Sequence, residues 1–309
     1  MLQKPVFIGF ACAIVTVMLW SGNFVIARGL SEQISPLNLA FWRWVVAIVF
    51  LLPFALKPLL VQKASIQKHI GYLSIVSLLG ITLFNSLIYY AGQTSSAINL
   101  ALIAITFPVF ILILSRIFLK EKISWNKLVG IGLVLIGILL LISKGDLSIL
   151  TQLTFAQGDV WMLLAALIFA IYSMLLKRKP AEISASVFQL ASFILGLIFL
   201  LPFYVLELYL VPSKAVNGSV VLSILYVGIF SSLLAFILWT KAIALIGAIN
   251  AGMVYYAMPI FSGILAIIIL DEALTALHIY SALFILSGIL LAVIYRPNIV
   301  LKNSMGREV

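Results

Sequence analysis

Runs of about twenty apolar residues, repeated along almost the whole chain and parted only by short connections, leave a polypeptide few choices. In a bilayer each run is long enough to cross the hydrocarbon layer as a helix, and a helix keeps every backbone hydrogen bond within itself. Ten such segments are legible, near residues 6–28, 36–56, 70–90, 96–118, 126–143, 159–176, 185–206, 219–240, 248–270 and 275–295. Charges, prolines and polar clusters fall mostly between them. Of the 309 residues, 64% are hydrophobic and 9% charged, whereas about a quarter of an ordinary soluble domain is charged. Ten spans leave about nine residues for each connection or tail. That is too little for a soluble domain, so the helices must carry the function. Soluble enzymes, nucleic-acid binders and disordered chains are excluded as classes.

The net charge of +10 would suggest a polyanion partner in a soluble protein. Here it has a simpler source. With the N-terminus placed in the cytoplasm, 15 of the 19 Lys and Arg residues fall on the inner side, 3 on the outer side, and Arg43 within segment 2. Positive residues are retained inside. The expectation is therefore a multi-pass protein of a bacterial inner membrane with both termini cytoplasmic, residues 296–309 forming a cytoplasmic tail. Cys12 is the single cysteine, so no intrachain disulfide and no cysteine metal site can form. No cofactor and no nucleic acid is expected. The expected partners are the lipid bilayer and a small-molecule substrate, and the expected state is a monomer or weak homodimer.

The chain repeats itself. Phe50-Leu51-Leu52-Pro53-Phe54 recurs as Phe199-Leu200-Leu201-Pro202-Phe203, offset by 149. Ala97-Ile98-Asn99 recurs as Ala248-Ile249-Asn250, offset by 151, and the same offset pairs Pro108 with Pro259, Phe110 with Phe261, Glu121 with Glu272 and Gly137 with Gly288. Residues 97–142 and 248–293 share 15 identities in 46 positions. Each repeat holds five segments. Five is odd, so the second repeat enters the bilayer from the opposite side, the inverted topology common in secondary transporters. The expected fold is an all-α integral membrane protein, ten transmembrane helices in two inverted five-helix repeats, residues 1–145 and 156–295.

These residues resemble the drug/metabolite transporter superfamily, in particular its ten-helix EamA-type members. Trp20-Ser21-Gly22-Asn23-Phe24 is similar to that family's start of helix 1, and Arg43 followed by an apolar run is similar to its helix 2. The prolines in helices 4 and 9, the glutamates before helices 5 and 10 and the glycines within those two helices complete the likeness. Phe169-Ala170 stands where the family often has Trp-Ala. The resemblance implies a secondary, non-ATP carrier of small metabolites, often an exporter or exchanger of amino acids or related compounds, and not an enzyme. A carrier of this kind works by alternating access; the other reading is a passive channel, which would need a continuous polar stripe that these helices lack.

Candidate residues follow from what polar and ring-bearing side chains do inside a membrane. Asn23 and Asn85 lie deep in segments 1 and 3, where amides face the bundle interior, either linking helices or lining a cavity. Trp20, Tyr89, Tyr172, Phe236, Tyr255 and Tyr256 offer rings for an aromatic, aliphatic or weakly polar solute, whereas Trp161 and Trp239 fit interfacial anchors. Asn99 and Asn250 begin segments 4 and 9 and fit either a helix cap or a substrate-binding or gating amide. Pro108 and Pro259 each remove a ladder hydrogen bond, making a kink that serves as a hinge or opens a carbonyl to a cavity. Arg43 is the one basic residue well inside a span; it meets a substrate carboxylate or caps backbone carbonyls of a neighbour. Glu121 and Glu272 fit the organisation of a turn. The small residues Ala97, Ala101, Ala248 and Gly252 allow helices 4 and 9 to touch, and Gly130, Gly137, Ser281 and Gly288 do the same for helices 5 and 10. The site is expected near the bilayer midplane between the repeats.

Overall fold

A computed structural model describes residues 4–30, 33–95, 100, 103–121, 123–143, 145–146, 148–151, 156–211, 217–270 and 275–294, without the side chains at 24–25, 27–30, 149–150, 266–270 and 294. The described residues are helical, with no strands among them. Eight helices are long and apolar enough to cross a membrane, and Thr106–Phe118 is a shorter apolar helix. Segment 1 is the helix Lys4–Leu30, segment 2 is Pro36–Val61, segment 5 is Trp125–Ser143, segment 6 is Gln157–Leu176, segment 7 is Ala185–Leu210 and segment 10 is Ala276–Ile294. The end of the bundle where segment 1 begins is called here the near end, and the opposite one the far end.

Segments 3 and 8 depart from simple helices in the same way. Segment 3 runs Ile70–Ser77, then widens into a π-helix at Leu78–Leu83, then continues as Phe84–Thr94; segment 8 runs Gly218–Tyr226, widens at Val227–Leu234 and continues from Ala235. The two π stretches correspond under the 149–151 offset. A wider turn strains the normal ladder, and side chains help to satisfy it: Asn85 Nδ2 donates to Gly80 O (3.3 Å) and Ser232 Oγ to Val227 O (2.8 Å), each five residues back. Segment 8 does not stop near residue 240. Its helix runs on to a corner at Gly247 (φ 80°, ψ 161°), after which segment 9 begins and reaches Tyr255. That left-handed φ suits glycine, which has no Cβ to clash. Segment 9 then breaks at Tyr256–Ala257 and resumes as Met258–Leu270. Segment 4 breaks at Ile105, just before Thr106–Phe118. The prolines at 108 and 259 thus sit in the first turn after a break, where a missing N–H costs least.

Helix pairings follow the repeat. Segment 1 packs along segment 8 and onto Met258–Leu270, and segment 6 packs along segment 3 and onto Thr106–Phe118. Segments 2 and 7 pack together, as do 5 and 10. The last pair meets through glycines. A Cβ added at Gly130 would lie 2.5 Å from Gly288 O, and one at Gly137 would lie 2.8 Å from Ser281 O. The backbones touch because neither helix has a side chain at Gly130 and Gly288, and segment 5 has none at Gly137 where it meets Ser281.

At the far end, Glu207 of segment 7 is buried against the start of segment 2. Its carboxylate accepts the N–H groups of Leu37 (3.1 Å) and Asn38 (3.0 Å) and the hydroxyl of Ser35. Backbone donors at a helix start have no partner within the helix, and an anion there is favoured by the dipole. A carboxylate from the other repeat thus caps segment 2.

Candidate functional site

Two buried clusters meet at the centre of the bundle. The first is polar and gathers around Arg43, which is 1% exposed. Arg43 Nε donates to Ser232 Oγ (2.7 Å), Nη1 donates to Asn85 Oδ1 (2.8 Å) and to the Tyr89 hydroxyl, and Nη2 reaches Ser231 O (3.4 Å). Tyr89 in turn donates to Asn23 Oδ1 (3.4 Å). Segments 1, 2, 3 and 8 therefore each contribute one or two members. The widened turns matter here: Ser231 and Ser232 lie in one π stretch and Asn85 just beyond the other. Every partner of the guanidinium is neutral. Among the described residues no carboxylate lies within ion-pairing reach of Arg43.

The second cluster is aromatic. Phe169 is at its middle, with ring centroids 4.0 Å from Phe84, 4.9 Å from Phe107, 5.3 Å from Trp20, 5.4 Å from Tyr172, 5.9 Å from Trp239 and 6.4 Å from Phe236. Tyr255 packs edge-on against Phe107 at 4.7 Å and Trp20 at 6.3 Å. Trp20 joins the two clusters, because its Nε1 donates to Ser231 O (3.0 Å), the carbonyl that Arg43 Nη2 also approaches. The rings present flat apolar faces. The polar cluster adjoining them supplies direction.

Most of the sequence candidates come together here: Trp20, Asn23, Arg43, Asn85, Tyr89, Tyr172, Phe236 and Tyr255 all belong to one or other cluster. Tyr256 is buried at the break in segment 9, and its hydroxyl has no partner among the described residues. Pro108 is buried in segment 4 and lies against Gly252, where an added Cβ would meet Ile111 at 3.1 Å and Pro108 at 3.7 Å. Segments 4 and 9 therefore touch, as the small residues suggested. Pro259 is half-buried. Asn250 does not reach the clusters through any hydrogen bond; its Nδ2 donates to Ile246 O (2.8 Å) and fastens the corner at Gly247. Asn99 and its neighbours Ala97 and Ala101 lie outside the described residues, as does Glu272.

Three sequence readings change. Trp239 is no interfacial anchor: it is wholly buried, its ring lies 5.2 Å from Trp20, and its Nε1 donates to Ser173 Oγ (3.1 Å). The reason is the extension of segment 8 beyond residue 240, which puts Trp239 mid-helix. Glu121 pairs with Lys177 of another connection rather than only ordering its own turn. Arg43 is held by three side chains from two segments as well as by one carbonyl, so it is more than a cap on a neighbouring helix end.

Sequence reasoning missed Ser231, Ser232, Phe107 and Phe169. Two signals were present. Ser231-Ser232 is an adjacent polar pair in an otherwise apolar segment, and Phe169 is the repeat counterpart of Trp20, just as Tyr172 is that of Asn23.

The two ends of the bundle carry matching contacts. At the near end, Glu182 receives Lys68 Nζ (3.1 Å) and the His69 ring; at the far end, Asn217 Nδ2 donates to Gln33 Oε1 (3.3 Å). The His69 ring and the Lys68 ammonium hold the Glu182 carboxyl below the usual carboxylate range. Under the 149 offset Gln33 becomes Glu182 and Lys68 becomes Asn217, so one contact is the other with its partners exchanged.

The profile of the EamA-like transporter family matches this chain twice, over residues 7–143 and 156–294. An uncharacterised transporter of Archaeoglobus fulgidus is 27% identical over 258 residues, covering 84% of this chain and 88% of its own. One from Clostridium kluyveri is 25% identical over 290 residues, covering 91% of each. A solved crystal structure at 20% identity superposes with a TM-score of 0.73, over 95% of this chain and 98% of that one, so the fold is shared. With both stretches matched and the relatives covered nearly end to end, the chain belongs to the EamA-like transporter family of the drug/metabolite transporter superfamily and is a multi-pass membrane transporter.

Proposed function

We propose that the protein is a secondary carrier of small metabolites, an exporter or exchanger of amino acids or related compounds, rather than a catalyst. It works by alternating access between two inverted repeats, residues 1–145 and 156–295, spanning a bacterial inner membrane ten times with both termini in the cytoplasm, as a monomer or weak homodimer. The observation that carries this reading is the seam between segments 5 and 10. Gly130 meets Gly288 and Gly137 meets Ser281. The 151 offset turns Gly130 into Ser281 and Gly137 into Gly288, so each contact is the other with its sides exchanged. A contact that maps onto itself in this way is what a two-fold axis produces. The numbering runs in opposite directions along the two helices, so the axis crosses them and inverts one repeat relative to the other. The exchanged end contacts, Gln33 with Asn217 and Lys68 with Glu182, obey the same operation.

Two halves related by such an axis have two mirror arrangements available, one open at each end, around a site near the axis. The buried clusters lie where both halves contribute, with Trp20, Asn23, Arg43, Asn85 and Tyr89 from the first and Phe169, Tyr172, Phe236 and Tyr255 from the second. Proteoliposomes loaded with one amino acid at a time are the test. A carrier takes up the labelled solute saturably, and faster when the same solute is inside. Uptake that is linear in concentration and indifferent to internal solute would make it a channel.

The end contacts differ in chemistry, and that sets a pH dependence. The near contact is an ion pair and the far contact joins two neutral amides. Glu182 has its carboxyl lowered by its partners in the closed contact, so the contact is fully favoured above the ordinary carboxylate range and weakens as pH falls below that range, through the lowered value. Acid, added salt or Glu182→Gln should each shift the balance toward an open near end, and the far end should close in step. The check is the distance between spin labels at Gln67 and Ala181, compared with a far-end pair.

A further inference from the structure

A guanidinium in the interior of a membrane protein is costly unless something nearby carries the opposite charge. Among the described residues the partners of Arg43 are all neutral, and none is a carboxylate. The acids that are described are all engaged elsewhere: Glu121 with Lys177, Glu182 with Lys68 and His69, Glu207 on the start of segment 2, and Asp159 on the Ala156 N–H and the Ser95 hydroxyl, while Asp146 is exposed. Glu32, Asp271, Glu272 and Glu308 belong to connections or the tail of the sequence and lie outside the described residues.

The spare hydrogen-bonding capacity around Arg43 points the same way. Its five N–H groups make four bonds, which leaves one on Nη2 without a partner among the described residues. Trp44, whose ring lies 5.1 Å from the guanidinium carbon, is buried with Nε1 unpartnered. Trp44 packs on Phe193 at 4.8 Å, and one helical turn before Phe193 the buried Gln189 leaves its Nε2 unpartnered as well. Among the described residues these are nitrogen donors with no acceptor. A ligand that completes them brings acceptor oxygens, and the guanidinium without a described counter-ion favours negative charge on those oxygens.

We propose that the transported substrate is a small organic monoanion, its carboxylate bound by Arg43 and its apolar body seated on the Trp20 side of the aromatic cluster. This rests on the carrier reading and narrows its substrate class from amino acids and related compounds to the related monocarboxylates, setting the zwitterionic amino acids aside. Charge counting separates the alternatives. The empty centre carries one positive charge. A monocarboxylate neutralises it; a zwitterionic amino acid leaves it unchanged and brings an ammonium with no carboxylate to meet; a cation doubles it. In a low-dielectric interior that difference outweighs small differences in shape. The shared approach of Arg43 and Trp20 to Ser231 O fixes where the charged and apolar ends of the ligand sit relative to each other.

The test uses ligands with one body and three charge states: phenylpropanoate, phenylalanine and phenethylamine, with isocaproate, leucine and isoamylamine as the aliphatic set. Binding to the purified full chain in detergent is measured by calorimetry. At least one carboxylate should bind about tenfold or more tighter than its amino acid and its amine, Arg43→Gln should abolish that preference, and Arg43→Lys should retain part of it. No tenfold carboxylate preference in either set, whether binding is equal, tighter for the amino acid or amine, or absent, or a preference unchanged in Arg43→Gln, overturns the proposal. Flux is measured separately in proteoliposomes. Carboxylate binding without flux would count against the carrier reading and leave the charge assignment standing.

Discussion

Replacing Arg43 by Met should leave the protein folded and in the membrane while cutting transport about a hundredfold or more, the loss expected when one partner of a buried charge pair is removed. The two halves of that expectation have separate causes. In the empty protein, the partners of Arg43 keep other bonds when it is gone: Asn85 still donates to Gly80 O, Ser232 to Val227 O and Tyr89 to Asn23. They lose a donor, at about 1 kcal/mol each, while the membrane interior is relieved of a desolvated charge. The net change in stability should stay within about 2 kcal/mol of the parent. In the loaded protein the same change strands the substrate's charge, and nothing offsets that. Melting temperature and uptake, measured on the same preparation, separate the two. A variant that melts far below the parent would mean that Arg43 acts chiefly as a structural tie.

The second large effect belongs to the glycine seam. Val at Gly288 should destabilise the protein by about 3 kcal/mol or more, and Val at Gly132 should change stability by less than about 0.5 kcal/mol. A Cβ at Gly288 would lie 2.4 Å from Gly130 O and 2.9 Å from Val134 N, both backbone atoms that move only if the helix moves. A Cβ at Gly132 meets nothing within 4 Å. Helix association in membranes rests on close packing rather than on a hydrophobic drive, so separating segments 5 and 10 loses most of what holds them. Thermal unfolding in one detergent compares the pair; similar melting points would refute the seam.

What the sequence disclosed and what it hid divide along physical lines. The seam was legible because glycines seven residues apart in aliphatic helices have no role other than close approach. Asn23, Arg43, Asn85 and the inner rings were legible because polar and aromatic groups at membrane depth must face protein. The helix breaks in segments 4 and 9 were foreshadowed by Pro108 and Pro259. The π stretches were not, since Leu78–Leu83 and Val227–Leu234 contain nothing that an ordinary helix would refuse. Missing them hid Ser231 and Ser232 as partners of Arg43. Trp239 was misjudged for a related reason: the apolar run of segment 8 was ended at residue 240, whereas the helix turns only at Gly247. Tyrosine and tryptophan near a supposed end look interfacial, and only the true end decides.

The central claim is that the two ends open in alternation. Pulsed distance measurements between spin labels test it most directly, with cysteines placed at Gln67 and Ala181 for the near end and at Gln33 and Gly218 for the far end, in a Cys12→Ala background. Each pair should give a short and a long distance. Any condition that lengthens the near pair, such as Glu182→Gln, should shift the far pair toward its short distance, because one mirror arrangement is being traded for the other. Single unchanging distances at both ends, or both pairs lengthening together, would contradict alternating access.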